Sequence, residues 1–418
     1  MPTSRPEIDP ERLRALLAGF NAFGRSSETG GYDRIGYSAA DMAVRAWFMA
    51  EMERDGLGVR MDAVGNVFGR YGPAEGPVLL VGSHLDTVPD GGAFDGALGV
   101  AVALECVRAM KAAGFQPRTA IEVVATAEEE GRFGGMLGSQ AIAGVVPPGW
   151  VEAAADADGV RLVDALRGCG LDPARVPAAA RSARDIVAFL ELHIEQGPIL
   201  EMEGRPVGIV TGISGMGSLA VSLEGVANHS GTTPMDMRSD AFAGLAEIAA
   251  GFPALIRAHG TDQTRLTIGK VELKPNFIHT IPGLADFTII LRDTDEAVMR
   301  LMEEELGELI ADVADKHRLK ARVEVRSWLS PVSLDAGLNR LLHDCARDLG
   351  LDARSMPSGA GHDAQTMQGL CPSALIFVPS RGGISHAPQE WTDEEDCVTG
   401  ARLMLEALVR LSVETLAG

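Results

Sequence analysis

Hydrophobic positions along the chain follow two rhythms, and each points to a different kind of packing. Over residues 38–54, opening on Ser38 as an N-cap, Met42, Val44, Trp47, Phe48 and Met52 recur at helical spacing. A hairpin should follow, with Val59 and Met61 on one arm, Val67 and Phe68 on the other, and Gly65-Asn66 at the turn. Val78-Leu79-Leu80-Val81 is an unbroken apolar run, as in strands covered on both faces. Residues 96–113, rich in Ala and Val, read as a buried helix, and 121–125 as another inner strand. This strand–helix–strand order predicts a mostly parallel sheet with helices on its faces, joined by further strands at 189–194 and 374–378. Thr392, followed by acidic residues, should cap a C-terminal helix reaching about Leu411.

Between residues 213 and 330 the grammar changes. Strands are expected at 219–226, 265–273, 284–292 and 320–325, and helices at 236–258 and 296–317. The order β-α-β-β-α-β is that of the ferredoxin-like split unit. Because α/β segments flank it on both sides, it reads as an insertion. The expected fold is thus an α/β domain of residues 1–212 and 331–418, carrying a ferredoxin-like βαββαβ domain at 213–330.

Composition narrows the class. With 418 residues, 46 % hydrophobic, and no uninterrupted run of about 18 apolar residues, the chain should be globular with no membrane span. A formal charge of −21 and no basic patch argue against nucleic acid as a partner. The N-terminus MPTSRPEIDPERL lacks an apolar stretch, so no signal peptide is expected. Five scattered cysteines without a CxxC pair read as reduced thiols in a cytoplasmic protein.

The chemistry gathers in five short segments. Gly82-Ser83-His84-Leu85-Asp86 follows a buried strand, where parallel sheets place their ligands. Residues two apart share a face of an extended segment, so the Asp86 carboxylate could orient the His84 ring as a metal ligand. Asp95, hemmed by glycines, could be either a helix N-cap or a carboxylate bridging two cations. Glu128-Glu129-Glu130 crowds three carboxylates after an inner strand, which is unfavourable unless cations sit among them. His193 lies on an apolar strand with Glu191 and Glu195 to either side, and His386 in a Gly-rich loop. Three imidazoles and two or three carboxylates at such places make one two-metal site, suited to Zn²⁺ and also to Mn²⁺, Co²⁺ or Ni²⁺.

The strings GSHLDTVPDGGAFDGALGV, ATAEEEGRFGGMLGSQ, LELHIEQGPILE, NHSGTTPMDMRSDA and GAGHDA, with the His386 loop, resemble the hydantoinase/carbamoylase branch of the M20 metallopeptidase-like amidohydrolases. The resemblance runs from about Tyr37 to the C-terminus. It implies two divalent ions, one on His84 and His193 and one on Glu129 and His386, with Asp95 bridging and Glu128 as general base. It also implies a dimerising inserted domain whose His229 serves as oxyanion donor, and Asn276 and Arg292 as ligands of a substrate carboxylate, in the active site of the neighbouring subunit. Gln196, Ser358 and Gly359 would line the pocket, and the roles of His362 and Asp363 stay open. The implied activity is hydrolysis of the carbamoyl C–N bond of N-carbamoyl-L-amino acids to amino acid, ammonia and carbon dioxide. Allantoate or ureidoglycolate hydrolysis and M20-type peptidase or deacylase activity are the alternatives. Gly217-Ser218 and His279-Thr280 depart from the pattern of relatives, near the substrate rather than the metals.

Overall fold

In the computed structural model, which describes residues 5–413, the chain divides into two compact units. The first comprises residues up to Thr211, Leu334–Met356 and the residues from Gly361 on; the second comprises Gly212–Ser333 and Pro357–Ala360.

The first unit is built on a mainly parallel sheet. Four inner strands lie in the order Ala120–Thr126, Val78–His84, Ile186–Ile194, Ser373–Val378, each parallel to its neighbour. The hairpin Gly58–Met61 and Val67–Tyr71 extends one side, and Val207–Ile213 the other, both antiparallel. Val78–His84 and Ala120–Thr126 are buried at every position, which explains the apolar run 78–81 and the apolar residues on either side of Glu122. Helix Ala97–Ala112 packs on the sheet, with Leu98, Val102, Ala103 and Cys106 in the core. Helix Ala39–Arg54 begins where the pattern places it, Ser38 accepting the Asp41 amide. An earlier helix, Pro10–Phe20, capped by Asp9, was not anticipated. The C-terminal helix spans Glu394–Val413, and Thr392 does not cap it: the Thr392 hydroxyl is buried without a partner, and the Asp393 carbonyl accepts the first helical N–H, from Cys397.

The second unit is an antiparallel four-stranded sheet in the order Lys320–Leu329, Gly215–Glu224, Leu284–Asp293, Arg265–Lys274. This is the ferredoxin-like arrangement. Leu284–Asp293 alternates between half-buried and buried along its whole length, and Ala285, Phe287 and Ile289 meet Leu245, Ile248, Leu306 and Ile310 of the two covering helices. The first of these, Ala241–His259, starts later than the pattern suggests because Asp240 caps it, and Met235–Met237 forms a separate 3₁₀ turn. Among the described residues it alone has the length and hydropathy of a membrane-crossing helix. Its Leu245, Ile248 and Phe252 face the sheet, so it serves as a sheet-covering helix. Residues 357–360 belong to this unit, not to the α/β unit: Ser214 N–H donates to the Ser358 carbonyl, and Arg292 Nη1 to the Gly359 carbonyl.

Candidate metal centre

Four segments converge at the carboxyl ends of the four parallel strands. His84 ends Val78–His84, the glutamates follow Ala120–Thr126, His193 lies near the end of Ile186–Ile194, and the His386 loop follows Ser373–Val378. A parallel sheet opens its crevice at this edge.

Asp95 stands at the centre of this edge. Its Oδ1 is 3.3 Å from His84 Nε2 and 3.1 Å from His193 Nε2, while its Oδ2 is 3.4 Å from His386 Nε2. Each carboxylate oxygen therefore serves a different half of the site. Asp95 is not a helix cap: helix Ala97–Ala112 has Gly96 at its N-cap position and no side-chain cap. Gly96 has φ 61°, and a Cβ there would lie 2.5 Å from the His84 ring, so only glycine lets the ring reach Asp95. Both inner rings are aimed by backbone carbonyls. His84 Nδ1 lies 3.0 Å from the Asp86 carbonyl and His193 Nδ1 2.9 Å from the Ile194 carbonyl, which leaves Nε2 of each toward Asp95.

The Asp86 carboxylate does not hold His84, contrary to the extended-segment argument. The strand ends at His84, and the chain then turns so that the Asp86 carbonyl meets the ring, its Oδ1 being 3.9 Å away. The carboxylate instead accepts the amides of Glu129 (3.3 Å) and Glu130 (3.1 Å). Behind it lies Arg45, fully buried, 3.7 Å from Asp86 and bonded at 2.8 Å to Asp41. Asp41, Arg45 and Asp86 thus form a buried charge chain that ends on the glutamate turn.

The three glutamates separate sharply. Glu128, at φ 55°, turns inward; its Oε1 accepts the Phe133 amide at 2.6 Å, and burial pushes its carboxyl up to about 8. Glu129 Oε2 lies 3.6 Å from His84 Nε2. Glu130 Oε2 lies 3.5 Å from His386 Nε2. Two donor groups result, His84–Asp95–His193 and Asp95–Glu130–His386, each with ligand atoms within 4.8 Å of one another. The family resemblance implies Glu129 beside His386; the structure has Glu130 there instead.

The donors fit divalent cations. They are imidazole nitrogens and carboxylate oxygens without sulfur, a set for Zn²⁺ or Mn²⁺. Glu130 Oε1 is buried with no partner. Burial raises Glu129 well above the ordinary carboxylate range, with Glu130 and Asp363 adding to the rise, and burial together with Asp95 raises Glu130 to about 7. Carboxylates so crowded ionise readily only when cations lie among them.

The sequence matches Peptidase family M20/M25/M40 over residues 80–410. The chain belongs to that family. The N-carbamoyl-L-amino-acid amidohydrolase of Paenarthrobacter aurescens is 39 % identical over 405 residues, covering 96 % of this chain and 98 % of that protein. The allantoate amidohydrolase of Bacillus subtilis is 37 % identical over 392 residues, covering 93 % and 94 %. Among solved structures, a hydantoinase/carbamoylase family amidase from Burkholderia multivorans superimposes with a TM-score of 0.91 at 32 % identity, over 98 % of this chain and 99 % of that one. The M20 chain is thus a hydrolase of C–N bonds in the hydantoinase/carbamoylase branch, and the family is metal-dependent.

The other anticipated residues of this M20 chain are distributed over the two units. Gln196 belongs to the centre, its Nε2 donating to Asp95 Oδ2 at 2.7 Å. His362 packs edge-on against the His193 ring at 4.6 Å, and Asp363 accepts the Thr126 hydroxyl. Glu191 supports the floor, accepting the Ser83 hydroxyl and the Ala364 amide. In the second unit, His229 is exposed. Its Nδ1 accepts the amides of Gly231 and Thr232, which puts the ring proton on Nε2. Asn276, at φ 46°, lies in the loop after Arg265–Lys274, and His229 pairs with Thr280 beside that loop. Arg292 stands at the other end of Leu284–Asp293, opposite Met216 and Arg265. From the Lys274 end to Arg292 the strand runs eight residues, roughly 27 Å.

Sequence reasoning missed Glu390. Its Oε1 accepts the amides of Phe94 (2.9 Å) and Asp95 (3.0 Å), and its Oε2 accepts the Ser385 hydroxyl at 2.7 Å. Its place four residues after His386 was the only available signal. Arg45 was missed because, in the sequence, it is one arginine among many.

Proposed function

We propose that the chain is a two-metal hydrolase of the carbamoyl C–N bond of N-carbamoyl-L-amino acids, working as a cytoplasmic homodimer. The observation that carries this reading is Asp95, whose two oxygens face separate imidazole groups as a bridging carboxylate must. His84 and His193 would hold one ion, Glu130 and His386 the other. Zn²⁺ or Mn²⁺ bound there would polarise the carbamoyl carbonyl and acidify an attacking water. Glu130 replaces Glu129 as the ligand, because its oxygen is the one beside His386. Glu129 replaces Glu128 as the base, since its carboxylate sits beside His84 while that of Glu128 is committed to the Phe133 amide. In this role Glu129 takes the proton of water and returns it to the leaving nitrogen. The product carbamate then loses carbon dioxide, leaving ammonia and the amino acid.

His229, with its proton on Nε2, is suited to donate to the developing oxyanion. Arg292 suits a substrate carboxylate through its planar fork. The roughly 27 Å of strand between the Asn276–His229 end and Arg292 far exceeds a carbamoyl amino acid. One substrate molecule therefore cannot touch both ends of one inserted unit. In a homodimer the two ends would serve different active sites, so His229, Asn276 and Arg292 do not all act on the same neighbour. Five free cysteines, four of them buried, suit a reducing compartment.

Allantoate hydrolysis is the second reading, favoured by the relative from Bacillus subtilis. A panel of N-carbamoyl-L-amino acids, allantoate, ureidoglycolate, dipeptides and N-acyl amino acids, assayed with Mn²⁺ or Zn²⁺, separates the two. Ammonia release should be fastest from the carbamoyl amino acids. Faster release from allantoate would replace the first reading by the second, and release from no ureido compound would sink both.

A further inference from the structure

Glu390 lies 2 % exposed beneath the centre and is committed on both oxygens. Oε1 accepts two consecutive amides, Phe94 and Asp95, and so fixes the loop that carries the bridging carboxylate. Oε2 accepts the hydroxyl of Ser385, the residue before His386. One side chain therefore ties together two ligand loops, those of Asp95 and Ser385, that are 290 residues apart in sequence. Its approach requires a glycine: a Cβ on Gly92 would lie 2.0 Å from Glu390 Oε1.

The Ser385 hydroxyl has one proton and two acceptors within reach, Glu390 Oε2 at 2.7 Å and Asp95 Oδ2 at 3.1 Å. Asp95 Oδ2 is the oxygen that faces His386 and already accepts from Gln196 at 2.7 Å. A further hydrogen bond to that oxygen would compete directly with an ion on the His386 side. Glu390 Oε2 is the nearer of the two acceptors and draws the proton away.

We propose that Glu390 is a positioning residue that keeps Asp95 Oδ2 available to the second ion, by taking the Ser385 proton while it holds the Asp95 loop. The inference rests on the two-ion reading above. Glu390→Gln tests it because the amide keeps an oxygen for the two backbone N–H groups but puts an NH₂ donor against Ser385. The serine must then accept from that NH₂ and send its own proton to Asp95.

The experiment is Mn²⁺ titration of the apoenzyme, followed by electron paramagnetic resonance and metal analysis. Wild type should bind two Mn²⁺ with a spin-coupled spectrum; a wild type that binds only one overturns the two-ion reading and not this inference alone. Glu390→Gln should weaken the second ion by about 10- to 100-fold and leave an uncoupled six-line spectrum. Ser385→Ala in that background should restore part of the lost affinity, because no hydroxyl is left to compete. Two tightly bound Mn²⁺ in Glu390→Gln, or a double variant no tighter than the single, overturns the proposal. Should Glu390→Gln not fold, Gly92→Ala displaces the same carboxylate sterically and must show the same loss of the second ion; wild-type binding there would overturn it equally.

Discussion

Replacing Glu128, Glu129 and Glu130 by glutamine, one at a time, should give three different enzymes. Glu130→Gln removes a carboxylate from the Asp95–Glu130–His386 group, so metal content should fall from the proposed two ions toward one. Glu129→Gln keeps that group intact but removes the proton acceptor beside His84. Loss of a positioned general base costs about 10²- to 10⁴-fold in turnover, with both ions retained. Glu128→Gln changes neither. Its oxygen can still accept the Phe133 amide, and the new NH₂ falls where Glu128 Oε2 is buried without a partner. An unsatisfied buried donor costs roughly 1–3 kcal/mol of stability, while turnover stays near wild type. Metal analysis of dialysed protein, kcat for ammonia release and a urea melt of each variant read all three quantities. If Glu128→Gln abolished turnover at full metal content while Glu129→Gln did not, the geometric assignment would be refuted and the base would be Glu128.

Four further outcomes follow from single distances or charges. Gly96→Ala should cost metal and activity together: the new Cβ presses on the His84 ring at 2.5 Å and φ 61° adds about 1–2 kcal/mol of strain, so wild-type metal content in this variant would count against the packing argument. Stepwise chelation followed by metal analysis should remove the His386-side ion first, with a loss of about 2.7 kcal/mol of stability for each ion held at 100 times its Kd; a melting temperature indifferent to chelator would contradict it. Arg292→Lys loses the fork that now bonds the Gly359 carbonyl and should raise KM roughly 10- to 100-fold with a smaller effect on kcat, measured by steady-state kinetics. Burial pushes the Asp396 carboxyl up to about 6, with Asp393 and Glu395 adding to it. The unfolded chain is then the stronger acid, and stability should fall as pH rises from about 4 to 6; Asp396→Asn should remove that fall, worth about 1 kcal/mol at this half-exposed site, in urea melts at pH 4.5 and 7.

Much of the fold was legible because burial on both faces leaves an unmistakable trace. Val78–His84 and Ala120–Thr126 are mostly apolar since no position on them meets water, and Leu284–Asp293 alternates because one face does. The candidate metal ligands were legible as types but not always as individuals. Glu128, Glu129 and Glu130 differ only in direction, and direction is set by the positive φ at Glu128, which rotates its side chain into the core. For Asp86 the two-residue period failed because the strand ends at His84. Arg45 and Glu390 were out of reach for a different reason. Arg45 meets Asp86 and the Ala125 carbonyl, and Glu390 meets the Phe94 and Asp95 amides, across long spans of chain that no local pattern encodes.

The two halves of the centre are held by unlike means, and this bears on what each can do. His84 and His193 are buried, and each ring is fixed by a carbonyl within two residues of itself, so the first half needs only the strand ends to be in place. The second half depends on side chains: Glu130 is oriented through the Asp86 carboxylate, and the Ser385–His386 loop through Glu390. His386 is half exposed, at φ 54°. Backbone-fixed ligands keep their geometry with or without an ion, whereas side-chain-fixed ligands must be ordered by it. An ion at the first half would therefore bind a preformed site, and one at the second a site it helps to complete. Any substitution that weakens the Arg45–Asp86 or Glu390–Ser385 supports should lower the affinity of the second ion before it disturbs the first.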